Sequence, residues 1–267
     1  MSGFTAEWLT LREPHDLIAR NSNVLAAVTA SLDSPPLRIV DLACGSGSTI
    51  RAIHALLPAP QHWDLVDNDA ELLALACNQN IENVTLKAVP LNLRHNFEAT
   101  LEPAANLITI SALLDLVSES WLHRFSHAVA ARALPIYAAL TYNGLIDLTP
   151  ADVLDTAVVS SVNAHQRTDK GFGSALGPLA ADTAIASFGA LGYSIVSGAS
   201  DWIISASDQA MQNELLVGWA SAACELGTIR STDVACWLQR RTGLVSTGRL
   251  TMRVGHIDFF AFPSSTR

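Results

Sequence analysis

Lysine is nearly missing from this chain. Lys87 and Lys170 are the only two, and the remaining members of the 16 basic residues are arginines. Against 25 acidic residues they leave a formal net charge of −9. Binding a phosphate backbone takes a concentrated basic surface, so nucleic acid is not the expected partner. No block of like charge forms a tail. Cysteine is scarce too: Cys44, Cys77, Cys224 and Cys236 form no C-x-x-C pair and match no zinc spacing. They read as reduced thiols of a cytosolic protein. Long apolar runs are also lacking. The stretch "AVAARALPIYAAL" (128–140) is broken by Arg132 and Pro135 and is too short to cross a bilayer. The opening "MSGFTAEWLTLREPHD" carries charges where a secretory leader needs an apolar run. Repeats and low-complexity segments are absent. These shortages predict a cytoplasmic chain with neither a membrane nor a nucleic-acid partner, and they leave the oligomeric state open.

Apolar residues, by contrast, make up 49% of the 267 positions. That is enough for the two-sided core of one large domain. The stretch 37–43, "LRIVDLA", is apolar up to Asp41 and reads as a strand buried on both faces. Further strands are expected at 62–67, 83–91, 106–114 and 137–144. Helices are expected at 50–57, 70–80 and 121–133. Upstream, 5–33 reads as helical with a break near Pro14. Strand–helix alternation at this pace predicts a parallel sheet covered by helices on both faces. In the second half, 150–167, 180–192, 207–226 and 231–242 read as helices, 193–204 holds a sixth strand, and 249–263 a last one. No linker is visible, so one domain is expected. Its core spans 37–145, and 1–33, 146–180 and 207–243 are additions that cap the sheet edge or cover a pocket.

The stretch "DLACGSGS" (41–48) ends the first strand with an acid and breaks into glycine. In an open parallel sheet, ligands bind beyond the carboxyl ends of the strands. Gly45 and Gly47 let the backbone turn tightly there and come close to a ligand. A dinucleotide turn needs a third glycine, but Ile50 stands in its place. An acid in the strand also suits a cationic ligand better than a pyrophosphate. Asp67, in "LVDND" at the end of the second strand, lies 20 residues after Gly47, where a carboxylate can accept from both hydroxyls of a ribose. A ribose together with a sulfonium or ammonium describes S-adenosylmethionine.

Together, "VDLACGSGS", "LVDND" and "NLITISALLDLVS" resemble the successive motifs of the class I S-adenosylmethionine-dependent methyltransferases. The resemblance covers 37–145 well and the remainder by element order. It implies a Rossmann-like α/β fold with a seven-stranded, mostly parallel sheet. In that sheet 249–263 would run antiparallel between the fifth and sixth strands. It also implies that Asp41, Ala43, Gly45 and Gly47 surround the methionine moiety, that Asp67 holds the ribose, and that Asn68 lies near the adenine. Asn92 stands where the family often has an acid contacting the adenine amine. Ser111 and Ala112 would lie under the sulfonium.

For the methyl acceptor, several polar residues fall near the same sheet edge. Asp115 follows the fourth strand and is either an acid that orients the acceptor or a helix N-terminal acid favoured by the dipole. Tyr142 precedes Asn143-Gly144, which is also turn chemistry. The stretch 163–173, "NAHQRTDKGFG", sets His165, Asp169 and Lys170 beside glycines, as suits either a lid or a solvated loop. Arg12 and Arg20 can reach a carboxylate, or form an exposed face with an Asp16–Arg20 pair. His123 and His127 lie four apart but without a metalloprotease signature. His256 and Asp258 alternate along the last strand. No metal is expected. The stretch after the fourth strand lacks the Asn/Asp-Pro-Pro-aromatic run of amine-methylating relatives, which lowers nucleic-acid and glutamine acceptors. The expected activity is O- or N-methylation of a small polar molecule. A protein that binds the ligand without chemistry and a nicotinamide-dependent oxidoreductase are the alternatives.

Overall fold

The computed structural model describes residues 5–101 and 105–264. Its strands are β1 (Leu37–Leu42), β2 (Gln61–Asp67), β3 (Val84–Pro90), β4 (Leu107–Ser111), β5 (Ile136–Thr149), β6 (Tyr193–Ala199), β7 (Trp202–Ile204) and β8 (Thr251–Pro263). They form one eight-stranded sheet in the order β3-β2-β1-β4-β5-β8-β6, with β7 also paired to β8. Strands β1 to β5 run parallel, and β8 is antiparallel to β5, β6 and β7. The last strand thus lies between β5 and β6, as expected. The eighth strand arises because 193–204 is two strands. The chain breaks between them where Ser200 N–H donates to the His256 carbonyl and the Asp201 carboxylate accepts from His256 N–H.

Both faces of the sheet are covered because the central strands are apolar on both sides. On one face Val40, Ile108, Ile136 and Phe259 pack with Phe125 of α6 (Glu119–Ala130) and Phe188 of α8 (Ala180–Ala190). On the other, Ile39, Leu65 and Phe260 pack with Val24 and Val28 of α2 (Ser22–Ala30), Ile50 of α3 (Ser48–Ile53) and Leu73 of α4 (Ala70–Cys77).

Strand β5 was expected to end at Gly144 but runs to Thr149. Its pairing with β4 ends at Ala139, and it then continues along β8 through two register shifts. The Asn143-Gly144 turn chemistry becomes an irregularity within a strand. Asn143 Oδ1 accepts from Leu145 N–H at 3.1 Å, and a Cβ on Gly255 of β8 would lie 2.3 Å from that oxygen. Beyond the carboxyl end of β4, this extension carries a third core. Ile146, Leu148, Met252 and Val254 pack there against α7 (Asp155–Gln166), α9 (Gln209–Leu226) and α10 (Ser231–Ser246).

The N-terminal helix breaks at Arg20-Asn21 rather than at Pro14. Pro14 lies exposed inside α1 (Ala6–Ala19). The break is made by Asn21, whose Oδ1 accepts from Asn23 and Val24 N–H to cap α2, while its Nδ2 donates to the Ala199 carbonyl at 2.9 Å. Among the described residues, no helix is long and apolar enough to cross a membrane, and no group of three His, Cys, Asp or Glu could hold a metal.

Candidate functional site

β1 lies between β2 and β4: the chain leaves β1 for β2 on one side, and after β3 it crosses back to β4 on the other. A crevice opens at such a reversal. The "GSG" turn fills this place. Ala43, Gly45 and Gly47 have φ of +54°, +52° and +85°. At Gly47 a Cβ would lie 3.2 Å from Ala76 Cβ and would displace the end of Gln79, and its φ strains any other residue, so glycine is favoured.

Asp67, at the end of β2, is clamped to this turn. Its Oδ2 accepts from Gly45 N–H at 2.9 Å and its Oδ1 from Asp69 N–H at 3.0 Å. Each oxygen retains a lone pair for a ligand hydroxyl. Asn68 and Asn92 are exposed near the ends of β2 and β3. Asn92 Oδ1 accepts from Arg94 N–H at 3.0 Å and caps a short helix, α5 (Leu93–Asn96).

Asp41 is fully buried. Its Oδ1 accepts from Thr109 Oγ1 at 2.7 Å, and its Oδ2 has no partner. Burial pushes its carboxyl up to about 7, opposed by Thr109, by the charge of Arg20 and by the Thr49 hydroxyl, with Asp67 adding to the rise. Across the crevice, Ser111 Oγ is buried and unpartnered, and Ala112 takes φ +50°. Non-glycine residues in this conformation carry backbone strain of a kind that gathers at binding sites.

The helix α1 lies over the turn. A Cβ on Gly45 would touch Leu9 Cδ1 at 3.4 Å. Glu13 pairs with Arg51, whose Nη1 donates to the Ser46 carbonyl at 2.6 Å. Arg20 is buried and does not pair with Asp16 in the expected exposed i,i+4 bridge. Its Nη1 donates to Tyr137 Oη at 3.1 Å, and Tyr137 donates in turn to Asp258 Oδ2 at 3.1 Å. Asp258 also accepts from Leu140 and Asn21 N–H. This leaves Arg20 Nε and Nη2 buried without partners. Asp16 instead accepts from Arg12 Nε at 2.8 Å and Trp202 Nε1 at 2.9 Å.

A second group gathers beyond β4 and β5. Asp115 is 7% exposed with Oδ1 unpartnered, and burial pushes it up to about 6 while its own backbone N–H and then Arg12 hold it back. Tyr142 donates to Asn163 Oδ1 at 2.6 Å, and its phenol is pushed up by burial and by Asp115. His256 stands opposite Tyr142 in the β5–β8 pairing. Its ring centroid is 6.1 Å from that of Tyr142 and 4.6 Å from that of Trp202. Its Nδ1 is buried and unpartnered. Burial, then Arg12, lowers the imidazole to about 4, against the opposite pull of Asp201 and the Val254 backbone. Arg12 lies 5.7 Å above the Trp202 ring.

Arg12 acts electrostatically on Asp115 and Asp115 on Tyr142, while His165 and Lys170 contact each other and Asp169 bonds within its own loop. His165 Nε2 bonds Glu225 at 2.9 Å, and Lys170 Nζ lies 3.3 Å from His165 Nδ1. Asp169 accepts from Gly171 and Gly173 N–H, which pins the charged loop as a local turn. Sequence reasoning set His256 aside. The available signal was its phase: Met252, Val254, His256 and Asp258 alternate along β8 and all are buried.

No family model and no curated protein matches the chain. Among solved structures it is similar to a cyclopropane synthase from Mycobacterium tuberculosis. The identity is 11%, 97% of this chain and 94% of that one are covered, and the TM-score is 0.53. It is also similar to a cyclopropane-fatty-acyl-phospholipid synthase-like protein from Lactobacillus casei, with 12% identity, coverage of 97% and 95%, and a TM-score of 0.51. The chain has the class I S-adenosylmethionine-dependent methyltransferase fold. This methyltransferase fold carries its glycine turn at the strand-order reversal, and to it the chain adds the extension of β5 and β8 with α7, α9 and α10.

Proposed function

We propose that the chain is an S-adenosylmethionine-dependent methyltransferase acting on a small polar molecule at oxygen or nitrogen. The observation that carries this reading is Asp67 clamped to Gly45 N–H above a fully buried Asp41 with a free Oδ2. A carboxylate oxygen left without a hydrogen bond in a dry site calls for a positive group or a donor beside it. The same crevice offers the orphaned Ser111 Oγ and the free Nε and Nη2 of Arg20. These residues fit the ligand. Asp67 takes the ribose hydroxyls, and Asn68 and Asn92 border the adenine. Asp41 faces the cationic end, and Arg20 receives the carboxylate. The backbone at Ala43, Gly45 and Gly47 approaches the methionine chain, and Ser111 and Ala112 lie beneath the sulfonium.

When bound, S-adenosylmethionine supplies a methyl group already activated on a positively charged sulfur. The protein's task is then alignment of the acceptor and removal of its proton. Asp115 suits the proton's removal, since a carboxyl raised to about 6 is ionised near neutral pH and still basic enough to accept. Tyr142 and Arg12 border the acceptor. His165, Asp169 and Lys170 have no place in this scheme. One methyltransferase domain, capped by α1 and the C-terminal helices and working in the cytoplasm, completes the reading.

Calorimetric titration with S-adenosylhomocysteine tests it. Micromolar binding is expected in the wild type. Asp67→Ala should weaken it by roughly 1.5–3 kcal/mol, the cost of losing a charged hydrogen-bond acceptor. Binding of NADH in place of S-adenosylhomocysteine would sink the reading.

A further inference from the structure

Beyond β4 and β5, two buried atoms lack partners, Asp115 Oδ1 and His256 Nδ1. Buried polar atoms are paired in the great majority of cases, so each orphan calls for an explanation. The two are tied into one group. Arg12 acts electrostatically on both, Asp115 acts on Tyr142, and Tyr142 and Trp202 pack against the His256 ring. An ionised carboxylate has no proton to give, and a neutral imidazole has one bare nitrogen, which is Nδ1 when Nε2 holds the proton. What they share is a need for donors. The rings around His256 are aromatic, with Trp8 in turn 6.4 Å from Trp202, and aromatic surfaces suit flat molecules. The Arg12 charge is already met by Asp16, so no unbalanced cation recruits an anion.

We infer that His256 is a specificity-determining residue of the acceptor site. Its Nδ1 accepts from a small, flat, uncharged acceptor with two hydrogen-bond donors, whose second donor, the atom to be methylated, goes to Asp115. The inference rests on the methyltransferase reading for the role of Asp115. The neutral imidazole orients the acceptor and takes no proton from it.

The test is saturation-transfer NMR with anisole, resorcinol and 3-aminophenol, in the presence of S-adenosylhomocysteine, on wild type, His256→Leu and His256→Gln. Resorcinol and 3-aminophenol should bind the wild type and anisole should not. His256→Leu should bind the donor probes at least tenfold more weakly, bind S-adenosylhomocysteine as the wild type does, and melt at or above it, because an orphaned nitrogen has been removed. His256→Gln, which keeps a side-chain acceptor, should recover part of the probe binding. Binding of anisole equal to resorcinol, undiminished probe binding in His256→Leu, or a His256→Leu protein that melts lower or does not fold would overturn the inference. Donor-dependent probe binding without any affinity for S-adenosylhomocysteine would overturn the cofactor reading alone.

Discussion

Asp41 is a carboxyl held where ionisation is unfavourable, and its cost to folding depends on pH. Burial raises it from 3.8 to about 7 in the folded chain. Below pH 3.8 both folded and unfolded chains hold the proton, and no penalty exists. Between pH 4 and 7 the unfolded chain releases it and the folded chain does not, so stability falls as pH rises. Above pH 7 the penalty levels off on the order of 4 kcal/mol. Asn at this position keeps the acceptor for Thr109 Oγ1 and has no charge to desolvate. Asp41→Asn should therefore resist urea better than wild type at pH 8, with the advantage fading towards pH 4, while its affinity for S-adenosylhomocysteine falls. Equal urea midpoints at pH 8 would contradict the argument. At this scale Asp41, Gly45, Gly47 and Asp67 were legible because acid and glycine at a strand end are local chemistry. The network of Arg20 was not, since Tyr137 and Asp258 lie 117 and 238 positions along the chain. Nor was it legible that the charges of the loop at 163–173 bond its own turn and the neighbouring helix α9.

The helical cap hangs on two long strands, and one ion pair ties its pieces together. Arg241 of α10 is fully buried and donates through Nε and Nη2 to Asp155 at the start of α7. Trp237 Nε1 donates to the same carboxylate at 2.9 Å. Asp155→Ala would strand a buried guanidinium, which costs roughly 3 kcal/mol and is read as a lower urea midpoint. Pairing it with Arg241→Met should recover much of the loss, because an apolar side chain of similar length needs no partner there. If the double variant is no more stable than Asp155→Ala, the ion pair is not what holds α7 to α10. The order of the elements could be read from alternating periods, and the position of β8 only from the family resemblance. The lengths of β5 and β8 could not. A strand ends where its neighbour ends, and that neighbour lies about 100 residues away, so Asn143-Gly144 looked like a terminus and is a bulge.

Across the whole molecule, α1 touches both the sheet and the cap. Leu9 and the Glu13–Arg51 pair hold it to the glycine turn, and Asp16 holds it to Trp202 of β7. A ligand in the crevice would contact β1, β2, β4 and α1 together, so its binding energy should stabilise all the layers at once. A ligand bound only by the native state adds RT ln(1 + [L]/Kd), about 2.7 kcal/mol at a hundredfold excess over Kd. In a chain of this length each kcal/mol raises Tm by about 2–4 °C, so saturating S-adenosylhomocysteine should raise it by roughly 5–11 °C. Scanning calorimetry should record that rise as a single transition, because α1 joins sheet and cap. NADH at the same concentration should leave Tm unchanged, since Ile50 stands where a dinucleotide turn needs glycine. Two transitions, of which only the lower moves with ligand, would mean that the cap unfolds apart from the sheet and that α1 does not couple them.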